Sequence, residues 1–170
     1  MSKQVHIREH IAGDVDAYVD WQTDPEVARY LSWLPRSRAD AEASLWDAIE
    51  QQSVEDRKRF FFAIVLNDTQ EVIGDVGYTA SIPSPGNCGW FLRKSFQGRG
   101  YATEAVKQMI ELAFQSESID ALSASCRCAN AASIRIMTKC GFILENKSEG
   151  RLWYRQLAEG WRQANGGGIA

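Results

Sequence analysis

Gln97-Gly98-Arg99-Gly100-Tyr101-Ala102 is the stretch on which the reading of this chain turns. It joins a strand-like apolar run, Cys88-Gly89-Trp90-Phe91-Leu92, to a helical pattern in which Ala102, Ala105, Val106, Met109, Ile110 and Ala113 recur on one face. Two glycines in so short a loop let the backbone come close to a ligand, because no Cβ obstructs the approach. The loop amides and the first turn of the helix then offer partial positive charge to an anion, and the stretch reads as a phosphate cradle.

The local chemistry excludes two common phosphate ligands. A nucleotide P-loop needs Lys-Ser/Thr after its last glycine, but Gly100 is followed by Tyr101 and Ala102. A dinucleotide fold asks for Gly-x-Gly-x-x-Gly in its first βα turn, and the third place here is Thr103, past the middle of the chain.

Composition sets wider bounds. At 170 residues, with 45% hydrophobic and 11% aromatic residues, the chain suits one globular domain, expected over 1–158 with a flexible tail over 159–170 that holds Gly166-Gly167-Gly168. A net charge of −3 gives no basic footprint for nucleic acid, and the run Arg57-Lys58-Arg59 reads as a solvated turn before a strand. No apolar stretch is long enough to span a membrane, and charged Lys3, Arg8 and Glu9 argue against a signal peptide, so a cytoplasmic protein is expected. Cys88, Cys126, Cys128 and Cys140 read as reduced thiols rather than zinc ligands, since Cys126 and Cys128 are only two apart. The histidines, His6 and His10, lie at the first strand and its exit, and no metal is expected.

Taken in order, Gln4 to Arg8 alternates as a first strand, and Asp14 is placed to cap a helix with Val15, Tyr18, Val19 and Gln22 inward. Pro25 opens a helical turn with Val27 inward. Ser32-Trp33-Leu34-Pro35 is a loop, and Ala39 to Gln52 a helix with Ala43, Leu45, Trp46 and Ile49 as its apolar side. Arg59 to Leu66 and Glu71 to Ala80 form a hairpin around Asn67-Asp68-Thr69-Gln70, in which Gly74 and Gly77 ease curvature or close approach. Past the cradle helix, Ala121 to Cys128 is a fifth strand, Asn130 caps a helix that Gly141 ends, and Phe142-Ile143-Leu144 and Leu152 to Leu157 are the last two strands.

Three segments in order resemble the GNAT superfamily of N-acetyltransferases, and within it the RimJ/RimL-like (ribosomal-protein-alanine N-acetyltransferase-type) branch. Gln97, Gly100 and Ala102 match its Gln/Arg-x-x-Gly-x-Gly/Ala loop, and Asn130-Ala131-Ala132-Ser133-Ile134-Arg135 and Lys139-Cys140-Gly141-Phe142 follow at family spacing. The resemblance implies an α/β (α+β) GNAT fold: a mixed, mostly antiparallel twisted sheet of about six or seven strands with helices on both faces. It also implies acetyl-CoA as co-substrate and direct acetyl transfer to a primary amine, on a protein N-terminus or a small molecule, in a ternary complex. The alternative is a catalytically weak CoA-binding sensor or interaction module. A homodimer is left open.

The same resemblance assigns roles. Gln97, Gly98, Arg99, Gly100, Tyr101 and Ala102 would hold the CoA diphosphate, with cationic help from Arg93, Lys94 or Arg99; Phe91, Leu92 and Arg93 would meet pantetheine along the preceding strand, together with Asn130 and Ser133. The resemblance also places the Trp33 segment beside the amine-side groove; Trp33, Trp90 and Tyr154, as aromatics, suggest a groove that stacks on a flat substrate or holds a cation, and each is equally well a core residue. The usual Glu positions hold Asn87, Ser123 and Ser125, and the usual Tyr position holds Met137. The catalytic candidates are therefore Asp75 and Glu71 on the hairpin as bases and Ser133 near the CoA sulfur.

Overall fold

The computed structural model describes residues 3–28, 36–80, 85–116 and 119–165. Its strands are β1 (Val5–Glu9), β2 (Arg59–Leu66), β3 (Val72–Thr79), β4 (Gly86–Leu92), β5 (Ala121–Arg127), β6 (Ile143–Ser148) and β7 (Arg151–Leu157). The helices are α1 (Val15–Gln22), α2 (Pro25–Ala28), α3 (Arg38–Glu50), α4 (Tyr101–Gln115), α5 (Ala131–Lys139) and α6 (Ala158–Asn165). One seven-stranded sheet runs in the order β1-β2-β3-β4-β5-β7-β6, antiparallel everywhere except between β4 and β5.

Strand alternation divides the apolar residues between the two faces. Val5, Phe62, Ile64, Val76, Tyr78, Leu92 and Leu122 pack with Val106, Met109, Ile110 and Phe114 of α4 and Met137 of α5. Ala63, Val65 and Val72 turn to the other face, under Tyr18 and Trp21 of α1 and Leu45 of α3. The long apolar run of β2 is thus explained by burial on both sides.

Several local expectations change. In α3 the buried residues are Ala41, Leu45 and Ala48, while Ala43 and Trp46 are exposed; Leu45 is the one that joins Ala63 and Val65 in the core on this face. The tail expected from 159 is helical as far as Asn165. Trp161 lies against Phe114, with ring centroids 5.8 Å apart, and Arg162 donates to the Phe114 carbonyl at 3.1 Å.

Asp14 does not cap α1. A short 3-10 turn, Ala12–Asp14, leads into the helix, and the Asp14 carboxylate accepts from Arg8 Nη1 at 2.7 Å, Arg8 Nη2 at 2.8 Å and the Ile11 N–H at 3.0 Å. Although burial opposes its charge, these bonds and His10 beside it hold its carboxyl well below the usual range. The native state therefore binds this proton more weakly than the unfolded chain, so the contribution is present above about pH 4 and lost as pH falls below it. Asp14→Ala strands Arg8 and should cost about 3 kcal/mol, a fall in Tm of roughly 10 °C by thermal melting at pH 7. An unchanged melting curve would contradict this.

Candidate active site

Gly98 and Gly100 take φ of +79° and +90°, and Gly100 is the residue from which α4 departs. No side chain caps that helix, so its first N–H groups have no partner inside it. A Cβ added at either glycine would meet nothing within 4 Å, which leaves the concave side of the loop open. Gln97 braces the loop from behind, donating from Nε2 to the Leu92 carbonyl at 2.9 Å. Arg99 is exposed between the glycines and has no ion-pair partner among the described residues. Unpaired amides, a helix N-terminus and one unpaired guanidinium suit a diphosphate.

β4 and β5 are parallel but pair only at Gly86–Leu122 and Asn87–Ser123. Beyond that, β4 stays with β3 as far as Leu92 and β5 with β7 as far as Arg127, so the two diverge in a V that opens at their carboxyl ends. α4 and α5 start from those ends. The Arg93 N–H donates to the Ile73 carbonyl at 2.8 Å. Since the N–H and C=O of one strand residue point to the same edge and those of the next to the other, the backbone groups of Trp90 and Leu92 face the V and those of Phe91 face β3. Of the expected contact residues, Phe91 and the Arg93 N–H therefore face β3, while the Arg93 carbonyl accepts from the Phe96 N–H at 2.9 Å. The N–H of Leu92 and both backbone groups of Trp90 remain for a chain-like ligand lying along β4.

On the α1 and α3 side, a cavity of about 220 Å³ lies over the same strand. Tyr18, Trp21, Phe61 and Phe91 wall it, Arg36 and Arg59 reach it, Gly77 and Gly89 lie beneath, and Asp75 opens into it. Asp75 pairs across the sheet with Ala63 and Phe91, which fixes its side chain on this face. Burial pushes its carboxyl up to about 6, and the charges of His10 and Arg36 draw it back only in part. Tyr18 is pushed up to about 12, by burial first and the charge of Asp75 second, so its hydroxyl stays protonated. A carboxylate that exchanges protons near neutral pH, in a cavity one strand away from the V, can act as a general base. A more open cleft of about 440 Å³, between Asp20, Trp21, Asp24, Arg93, Lys94 and Ser95, adjoins it at Trp21.

The other expected residues are distributed unevenly. Glu71 is exposed, bonded to Arg93 at 2.7 Å, and does not line the cavity. Arg93 is drawn further away by Asp20 at 3.4 Å, so its charge serves this side rather than the cradle. Tyr154 is buried in the α4-side core. Trp90 touches the cavity, but its side chain alternates to the opposite face and packs on that same core. Trp33 lies outside the described residues. Ser123 Oγ donates to the Gly86 carbonyl at 3.2 Å and Ser125 Oγ accepts from Arg151 at 2.9 Å, so both serve the sheet. Met137 is fully buried. Asn130 caps α5 by accepting the Ser133 N–H at 3.1 Å, which leaves the Ser133 hydroxyl without a partner among the described residues. Tyr18, Trp21 and Phe61, which wall the cavity, were not among the expected site residues; the i, i+3 spacing of Tyr18 and Trp21 on α1 was the available signal.

Among the described residues no group of three or more His, Cys, Asp and Glu could hold a metal, and the four cysteines are free.

The profile of the acetyltransferase (GNAT) domain matches residues 4–143. An uncharacterized N-acetyltransferase, p20, from Bacillus licheniformis is 26% identical over 159 residues, 89% of each chain. Of solved structures, a RimL ribosomal-protein α-N-acetyltransferase in complex with coenzyme A superposes with a TM-score of 0.79 at 17% identity, covering 92% of this chain and 95% of that one. A spermidine N-acetyltransferase from Vibrio cholerae, in complex with CoA and spermine, gives 0.77 at 15% identity over 93% and 98%. With an uncapped glycine loop, a V between the two parallel strands and a profile match over most of its length, the chain belongs to the GNAT acetyltransferase family.

Proposed function

We propose that this N-acetyltransferase moves an acetyl group from acetyl-CoA to a primary amine, a peptide N-terminus or a small molecule, by direct transfer in a ternary complex. The observation that carries it is the placement of the Asp75 carboxylate, pushed up to about 6 by burial, in a cavity that shares β4 with the V. When bound, acetyl-CoA supplies an activated acyl thioester.

The protein's part follows from the residues described. N–H groups between Gly98 and Ala102 hold the diphosphate, with Arg99 adding charge. The free backbone groups of Trp90 and Leu92 orient the pantetheine arm, and a backbone N–H there can polarise the thioester carbonyl. Asp75 takes a proton from the acceptor ammonium, making the amine nucleophilic. The Ser133 hydroxyl, at the first turn of α5, is the available donor to the departing sulfur. Much of the acceleration comes from holding amine and thioester together. The motifs at Asn130–Arg135 and Lys139–Phe142 favour the RimJ/RimL-like branch, and four unpaired thiols suit a reducing compartment such as the cytoplasm.

The test is release of CoA thiol against a panel of N-terminal peptides and amines, with the acetylated product identified by mass. Thiol release matched by product, with intersecting double-reciprocal lines, is expected. Tight acetyl-CoA binding without release across the panel would favour a coenzyme-sensing module instead.

A further inference from the structure

Gly77 and Gly89 are partners across β3 and β4, and Phe61 pairs with Gly77 on its other side. Asp75 and Phe91, two residues along each strand, share that face. Both glycines therefore line the cavity, Gly77 buried at its floor and Gly89 exposed at its open side, but for different reasons. A Cβ at Gly77 would collide with the Phe60 carbonyl and the Phe61 ring, so packing alone demands glycine there. A Cβ at Gly89 would meet nothing within 4 Å, and its φ is not in the left-handed region. Neither crowding nor conformation requires glycine at 89, although glycine weakens a strand. What it supplies is room.

We infer that Gly89 sets the size of the acceptor, and that the acceptor is a primary amine carrying one flat ring or a similarly compact apolar group, with its nitrogen at Asp75 and the ring over Gly89. The inference rests on reading this cavity as the acceptor site. Its volume, about 220 Å³, exceeds the roughly 150 Å³ that suffices for benzene. Its walls are flat: Trp21 and Phe91 lie with ring centroids 5.8 Å apart and tilted 32°, and Phe61, the partner of Gly77 on β2, leans its ring over that glycine. One carboxylate serves one ammonium. Asp75 is the one carboxylate among the lining residues described, and Arg59 beside it is already ion-paired with Asp47, so a second ammonium on the acceptor would meet no free carboxylate there, which disfavours polyamines.

The experiment compares ethylamine with 2-phenylethylamine as acceptors for the intact enzyme and for Gly89→Val and Gly89→Ala. The wild type should favour 2-phenylethylamine by about tenfold or more in kcat/KM, and Gly89→Val should collapse that ratio towards one, with Gly89→Ala between, as expected when methyl groups fill a pocket. Melting temperatures should not fall, and CoA affinity should stay within about twofold. Calorimetric titration of 2-phenylethylamine into the CoA-bound protein gives a readout independent of turnover: binding to the wild type and none to Gly89→Val. Binding that depends on Gly89 without acetylation would sustain the inference and remove the catalytic reading. A ratio unchanged in Gly89→Val, a wild-type preference for ethylamine or spermidine, or no binding and no turnover with the ring-bearing amine would each overturn it.

Discussion

Asp75→Asn lowers kcat/KM for amine acetylation by roughly 10²- to 10³-fold at pH 7, the loss expected when a positioned base is removed, and leaves the affinity for CoA unchanged. Its pH profile is as diagnostic as its size. With a carboxyl pushed up to about 6 by burial, the wild-type kcat/KM rises with pH through about 6 as the base ionises, and the asparagine variant lacks that rise. Stability moves the other way. Because the folded protein holds this proton more tightly than the unfolded chain, whose ordinary aspartate titrates near 4, native stability declines as pH climbs from about 4 to about 6. Asp75→Asn should therefore melt higher than wild type at pH 8 and alike at pH 4. Equal kcat/KM for variant and wild type, or an acid limb that persists in the variant, would assign the base elsewhere.

The second large effect is at the glycine loop. Gly100→Val places a β-branched residue at φ +90°, which costs of the order of 1–3 kcal/mol in backbone strain. It also tilts the uncapped amides of α4 away from the anion. Each charge-assisted bond lost is worth about 1.5–3 kcal/mol, so the Kd for CoA should rise about 10- to 100-fold, with kcat at saturating acetyl-CoA changing far less. Gly98→Val should act in the same direction. The measurement is CoA titration by calorimetry alongside kinetics with acetyl-CoA varied. A large fall in kcat with unchanged Kd would mean that the loop serves chemistry rather than binding.

The coenzyme side of the site was legible because it is local. Glycines, strand and helix lie within one short segment, and the apolar period of α4 and the alternation of the strands declare themselves over a few residues. The seven strands of the sheet could be read for the same reason. The V could not, because it depends on where β4 and β5 stop pairing, and nothing in either strand alone marks Asn87–Ser123 as the last pair. The cavity proposed for the acceptor is non-local throughout. Its walls come from α1, α3, β2, β3 and β4, and which aromatic faces it is a matter of parity: Phe91 and Trp90 are neighbours in sequence on opposite faces. Hence of Trp90 and Tyr154, read either as lining a groove or as core, Tyr154 is core and Trp90 packs against it, while Trp21 was not named. Glu71 and Asp75 looked equivalent on one hairpin. The fold separates them, neutralising Glu71 with Arg93 at the rim and leaving Asp75 without an ion pair among the described residues. α6 was hidden by its low hydrophobicity: Trp161 and Ala158 are its apolar contacts, and the Arg162 bond to the Phe114 carbonyl ties it to the end of α4.

The most direct test of the account is a crystal structure of the protein grown with acetyl-CoA. Diphosphate oxygens within hydrogen-bond distance of N–H groups between Gly98 and Ala102, and the pantetheine arm bonded to Trp90 and Leu92 with its thioester towards Asp75, are expected. A coenzyme seated away from α4, or protein saturated in solution yet showing no ordered diphosphate at that loop, would contradict it.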